Sequence, residues 1–289
     1  MTGDFPMCIN VKYCADIKYG PEDRNRFDIW LIDSDVPTPL VIFYHGGGFV
    51  GGDKCDYEPE DLNRFLQAGV SFATVNYRYH TEHDQGLLGS LNDCRRALQW
   101  IRHNAPKLNI DKTKVGAYGT SAGAGTSLWI AFHKDMANNN VSAEYLKEST
   151  QLQVVGALAT QSTYDIVKWP DILPVPSSLM EDLLNYAVKC YKLSEIDDLY
   201  DSEGMDIRNK LDFLSMMSKD APPMYVRNAT ANCLTNVNEI LHHPLHAKRL
   251  REQADAVGLQ SYYVDAPAVN EIPDQNISLI DFFMQYLLP

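Results

Sequence analysis

The stretch "KVGAYGTSAGAGTSLWIAFH" (114–133) constrains the fold more than any other part of the chain. A strand-like run ends at Gly119-Thr120-Ser121-Ala122-Gly123, and a helix-forming run follows with no spacer. A direct passage from strand to helix puts the serine in a tight, strained turn. Larger residues there would clash with the adjoining strand and helix, so the flanking positions must be small. Such a turn fits a sheet with helices packed against it, and so argues for an α/β architecture.

The remaining chain keeps the same rhythm. Short apolar runs bounded by Asp, Pro and Gly predict strands at "FDIWLI" (27–32), "LVIFY" (40–44), "VSFATVNY" (70–77), "LQVVGALAT" (152–160), "PPMYVRNA" (222–229) and "LQSYYVD" (259–265). Helices are predicted between them. "PEDLNRFLQAG" carries acids in its first turn and Gly69 at its end. Leu91, Cys94, Leu98 and Ile101 follow helical spacing, as do Ile277, Ile280, Met284 and Leu287 near the end. Alternation of this kind predicts an α/β fold, a mostly parallel central sheet with helices on both faces. Between about 162 and 221 a Pro-rich segment and an apolar-faced helix interrupt the pattern. We read them as a small cap inserted into one domain spanning 1–289.

Composition narrows the functions open to such a fold. Hydrophobic residues make up 45% of the 289, enough for a sizeable core. A net charge of −13 repels phosphate backbones and anionic lipid, which argues against a nucleic-acid or membrane-surface partner. No run approaches the length of a membrane span, and the opening "MTGDFPMCINVKYCADIKYG" lacks the pattern of a signal peptide, so a cytoplasmic location is expected. The six cysteines, Cys8, Cys14, Cys55, Cys94, Cys190 and Cys233, show no CxxC pairing and no metal-ligand spacing. They are read as reduced thiols, and no metal or cofactor is expected.

A second motif follows the predicted strand 40–44. His45-Gly46-Gly47-Gly48 lets the backbone curl until its N–H groups point at one spot, where an oxyanion would form. His45 is read as a brace for this loop rather than a base.

The segments "YHGGGFVGGD", "NYRY", "DCRRALQWIRHNA" and "IDKTKVGAYGTSAGAG" resemble the matching parts of the hormone-sensitive-lipase-like branch of the α/β-hydrolases. That branch includes microbial carboxylesterases and acetyl- or feruloyl-esterases. The resemblance runs from about residue 27 to 135 and more loosely to the C-terminus. It implies Ser121 as nucleophile and an oxyanion hole made by the N–H groups of Gly46 or Gly47 with Ala122. It implies a pocket for a small-molecule ester or acyl-like ligand, partly formed by the cap. By analogy with similar members, residues 277–288 could pack in a homodimer.

The resemblance fails at the rest of the triad. The family's acid should follow "PPMYVRNA", where Asn232 stands, and its histidine should fall within "DAPAVNEI", where Val269 or Asn270 stands. No histidine follows His246. A serine hydroxyl needs a base to take its proton. Three repairs are open. His242, His243 or His246 could be a relocated base, with His243 near the cap of a helix begun by Pro244 and with Glu239 preserving the order Ser, acid, His. His80 or His83 could reach the cleft, although both read more simply as loop histidines. Or the base is gone, as in the plant gibberellin receptors of this branch, which keep the fold as a ligand sensor. The expected function is therefore a serine carboxylesterase for small or medium acyl esters, acetylated sugars among them. The alternative is a catalytically degenerate hydrolase that binds a ligand or partner.

Overall fold

The computed structural model describes residues 10–288; Cys8 and the first nine residues of the opening stretch read above lie outside the described residues. Eight strands form one sheet: β1 (Val11–Lys18), β2 (Arg26–Ile32), β3 (Thr38–Tyr44), β4 (Ser71–Val75), β5 (Ile110–Thr120), β6 (Val154–Leu158), β7 (Met224–Arg227) and β8 (Tyr262–Asp265). Their spatial order is β1-β2-β4-β3-β5-β6-β7-β8. β1 pairs antiparallel with β2, and β2 with β4; every later pairing is parallel.

The predicted strands and helices fall where the apolar runs put them. β3 is buried on both faces because its side chains alternate between two cores. Leu40, Ile42 and Tyr44 join one, and Val41 and Phe43 the other. The second core is largely aromatic. Phe65 of helix Pro59–Gln67 meets Phe72, Tyr118 and Phe283 of helix Leu279–Leu287, with ring centroids 5.8–6.1 Å apart. Burying each such ring contributes about 1.5–3 kcal/mol. The first core holds helix Gly86–His103 and helix Ala122–Phe132, the latter buried along its whole length.

β1 is the strand that the sequence pattern did not predict. It offers no buried run, being almost wholly exposed. Cross-strand contacts hold it instead. Tyr13 stacks on Trp30 at 4.8 Å and donates its hydroxyl to buried Asp28 at 2.9 Å.

Residues 162–221 connect β6 to β7 and contain the helices Ser177–Tyr191 and Ser202–Leu211. A buried ion pair, Arg208 to Asp165 at 2.8 Å, ties the second helix to the start of the segment. Tyr164 donates its hydroxyl to the Ala122 carbonyl at 2.6 Å, which anchors the segment to the turn after β5.

Candidate active site

Ser121 sits between β5 and helix Ala122–Phe132 with φ +53° and ψ −114°, a conformation that costs a non-glycine residue roughly 1–3 kcal/mol. Packing holds the turn in place: the Ser121 N–H donates to the Leu158 carbonyl of β6 at 2.8 Å. The side chain therefore stands clear of the sheet at the C-terminal ends of the parallel strands.

The loop after β3 lies directly beside it. A Cβ on Gly46 would be 3.5 Å from the Ser121 Cβ, so the two backbones are in contact. Gly47 has φ +102°, and a Cβ there would meet the Gly51 carbonyl oxygen at 2.2 Å, so no other residue fits. The N–H groups of Gly46 and Gly47 have no acceptor among the described residues. Ala122, as the first residue of its helix, has no intrahelical acceptor either. These are the donors an oxyanion hole requires.

His45 braces this loop. It is fully buried and stacked on Tyr77 at 4.2 Å, and its Nδ1–H donates to the Gly46 carbonyl at 2.7 Å. Burial lowers its pKa to about 4, and that of fully buried His246 to about 3. Both rings are neutral in the fold but take a proton near pH 6.5 in the unfolded chain. The unfolded state thus binds more protons below pH 6.5, and stability falls as the pH drops toward 4. We expect melting temperatures to be flat above about pH 7 and to fall below it, with His45 alone accounting for about 3 kcal/mol by pH 4. Denaturation at pH 7.5 and 4.5 tests this, and equal stabilities would contradict it.

The structure brings His242 to the serine: Nε2 lies 2.7 Å from Ser121 Oγ. His242 is the C-cap residue of a short helix, Val237–Leu241. Burial lowers its pKa below 6.5, opposed in part by the nearby Asn238 backbone carbonyl, which favours the charged form. Among the described residues no carboxylate bonds or ion-pairs with this ring.

The other sequence candidates lie elsewhere. His243 is buried beside His242, but its Nδ1 accepts from the Leu245 N–H at 3.2 Å and makes no bond to Ser121. Glu239 does not act as triad acid in this arrangement. Its carboxylate folds back to accept from the Thr235 hydroxyl at 2.8 Å and N–H at 2.5 Å, which stabilises the start of its own helix. Asn232 is exposed in the loop before that helix. Asn270 is exposed in a left-handed conformation. There the chain after β8 closes into a small turn, Ala266 bridging Glu271 and Glu271 pairing with Arg251. His80 and His83 pack by helix Gly86–His103, the His83 ring against Gly89.

The helix Val237–Leu241, which leads into His242, has no counterpart among the helices predicted above. Its signal was present: Asn236 accepts from the Glu239 N–H at 3.1 Å as an N-cap, with Glu at the third helical position.

Ser121 and His242 open onto a cleft of about 890 Å³, whose walls include Gly47, Tyr118, Asp61 and Tyr186. Ser121 also borders a slot of about 30 Å³ lined by Phe49, Tyr164, Trp169, Tyr186 and Leu241.

A family model described as BD-FAE matches residues 27–231. Esterase LipC of Mycobacterium tuberculosis is 22% identical over 226 residues, which cover 77% of this chain and 52% of that protein. The chain spans about half the length, or less, of the first curated relatives it matches. Among solved structures, a truncated carbohydrate esterase from gut microbiota superposes with a TM-score of 0.69 at 15% identity, covering 96% of this chain and 97% of that one. Esterase B of Lactobacillus rhamnosis gives 0.61 at 17% identity, covering 89% and 74%. At these identities the structural likeness speaks for the fold.

Proposed function

The chain belongs to the BD-FAE family within the α/β-hydrolases, and on that footing we propose that it is a serine carboxylic-ester hydrolase working through a Ser121–His242 dyad. The observation that carries this reading is the 2.7 Å contact between Ser121 Oγ and His242 Nε2. Ser121 attacks the ester carbonyl carbon as His242 takes its proton. The tetrahedral oxyanion is met by the N–H groups of Gly46 or Gly47 and Ala122. Collapse expels the alcohol, which receives the proton from the imidazolium. Water then repeats the sequence on the acyl-enzyme.

A phosphonate ester that mimics the tetrahedral intermediate tests the nucleophile. It should attach once to the parent protein, and not to Ser121→Ala. Absence of labelling in the parent overturns the reading. Because the base must be neutral and burial depresses its pKa, the acid limb of kcat/KM should have its midpoint below 6.5. A midpoint above that value would contradict the burial of the base.

The two spaces beside Ser121 support a short acyl group and a larger alcohol. The slot is much the smaller of the two spaces and is lined mainly by apolar and aromatic side chains, which suits a short acyl chain. The larger cleft, with polar groups such as Asp61 and Tyr118 on its walls, suits a hydroxyl-rich alcohol such as a sugar. Acetate should therefore be preferred to butyrate. Each added methylene costs on the order of 10–200-fold in kcat/KM when a pocket cannot admit it. Tyr186→Ala should narrow that gap by opening the slot, and an unchanged acetate-to-butyrate ratio would refute the assignment.

The missing carboxylate favours a second reading, a degenerate hydrolase that binds acyl-like ligands. Stoichiometric labelling of Ser121 without turnover of any ester would support it.

A further inference from the structure

The segment that carries His242 is held by its backbone in an unusual way. Four consecutive carbonyls, Ile240 to His243, each accept from a different side chain. His246 Nε2 donates to Ile240 at 3.0 Å, Gln161 Nε2 to Leu241 at 2.7 Å, Thr230 Oγ1 to His242 at 2.5 Å and Asn228 Nδ2 to His243 at 3.4 Å. Ile240 and His243 also accept from the His243 and His246 N–H groups at 3.3 and 3.0 Å, whereas Leu241 and His242, at the helix end, depend on the side-chain donors.

The donors are themselves fixed. Asn228 continues the β6–β7 pairing beyond the strands, exchanging two 2.9 Å hydrogen bonds with Thr160. His246 Nδ1 accepts from the Ser162 hydroxyl at 3.0 Å, which leaves Nε2 protonated and able to donate. Gln161, Asn228 and His246 are all buried. Thus the ends of β6 and β7, the two strands beyond the nucleophile's own, grip the base segment.

In a Ser-His-acid triad the carboxylate orients the imidazole and selects its tautomer. We infer that this clamp, with Thr230 and Gln161 as positioning residues, takes over the orienting task. It rests on His242 being the base. With the His242 carbonyl pinned, the ring pivots from a fixed Cα. This leaves Nε2 facing Ser121 Oγ at 2.7 Å. Gln161 borders the acyl slot and Thr230 the larger cleft, so the conservative Thr230→Ser and a His242→Ala background are needed to separate positioning from substrate contact.

Thr230→Val removes the donor at nearly constant volume, and Thr230→Ser keeps it. Thr230→Val should lower kcat for p-nitrophenyl acetate by about 10–100-fold, the cost of a displaced catalytic group, with KM little changed. Thr230→Ser should retain most of the parent kcat. In a His242→Ala background, Thr230→Val should cause no further loss, since it acts through the imidazole. Thermal melts of each variant identify any loss caused by unfolding. If His242→Ala is inactive but Thr230→Val matches the parent in kcat, the clamp is refuted and the base stands. The same holds if the Thr230→Val loss persists without His242. If His242→Ala retains parent activity, the base assignment falls and takes the clamp with it.

Discussion

His242→Ala should lower kcat toward p-nitrophenyl acetate by about 10³–10⁵-fold, and Ser121→Ala by a similar factor, the double variant being no worse than either. The range comes from comparing what each group contributes. In a complete triad, loss of the nucleophile or base costs on the order of 10⁶, and loss of the acid alone on the order of 10⁴. A dyad that gained nothing from its surroundings would start near the acid-less level, so removing the base would cost only about 10²-fold more. Much of the loss on removing an acid arises because the imidazole takes the wrong tautomer. Here the clamp on the His242 backbone keeps Nε2 on Ser121, although it cannot stabilise the imidazolium as a carboxylate would. The expected drop therefore exceeds the floor and falls short of the triad value. His243→Ala and Glu239→Gln should leave kcat near that of the parent, because neither side chain makes a bond to Ser121. Steady-state kinetics on the five proteins and the double variant decides the matter. A parent no faster than Ser121→Ala would end the enzyme reading. Loss on replacing His243 but not His242 would reassign the base.

The strands and the elbow were legible in the sequence because each is specified locally. β3 and the second half of β5 are buried on both faces, and the elbow's small residues have no other reason to follow a strand. The cleft's identity was legible too, since Gly46–Gly48 and Ser121 are motif residues. The base was not. Three histidines fall within five positions, and only the helix Val237–Leu241 decides which faces the serine. A helix this short has little hydrophobic periodicity, so its caps are its signal. Glu239 looked like a candidate acid while it was serving as a cap. β1 escaped for the opposite reason. It is an exposed edge held by partners on β2 and by Lys54, which pairs with Asp16 at 3.3 Å, and no run of its own residues announces it.

The same local logic makes Gly123→Ala the most damaging small substitution in the sheet–elbow junction. Helix propensity alone favours alanine over glycine by up to about 1 kcal/mol in a helix interior. Sterics oppose it. The added Cβ would lie 1.9 Å from the Tyr44 carbonyl oxygen and 2.7 Å from that of His45, both backbone atoms that no rotamer change can move. Overpacking of this kind costs 1–3 kcal/mol or more, and a rigid backbone contact belongs at the upper end, about 3 kcal/mol. For a chain of this size that corresponds to a loss of about 6 °C in melting temperature. Gly69→Ala provides the comparison. Gly69 has φ +80° but open space around it, so only the conformational cost of about 1 kcal/mol applies. Activity separates the two further. Tyr44 and His45 lead directly into Gly46, so relief of the clash moves the N–H donors away from Ser121. Loss of one such donor costs about 10²–10³ in kcat. Gly123→Ala should therefore lose both stability and turnover, and Gly69→Ala only a little stability. Equal melting temperatures for the two variants would show that the close approach of the elbow helix to β3 is not what holds the site together.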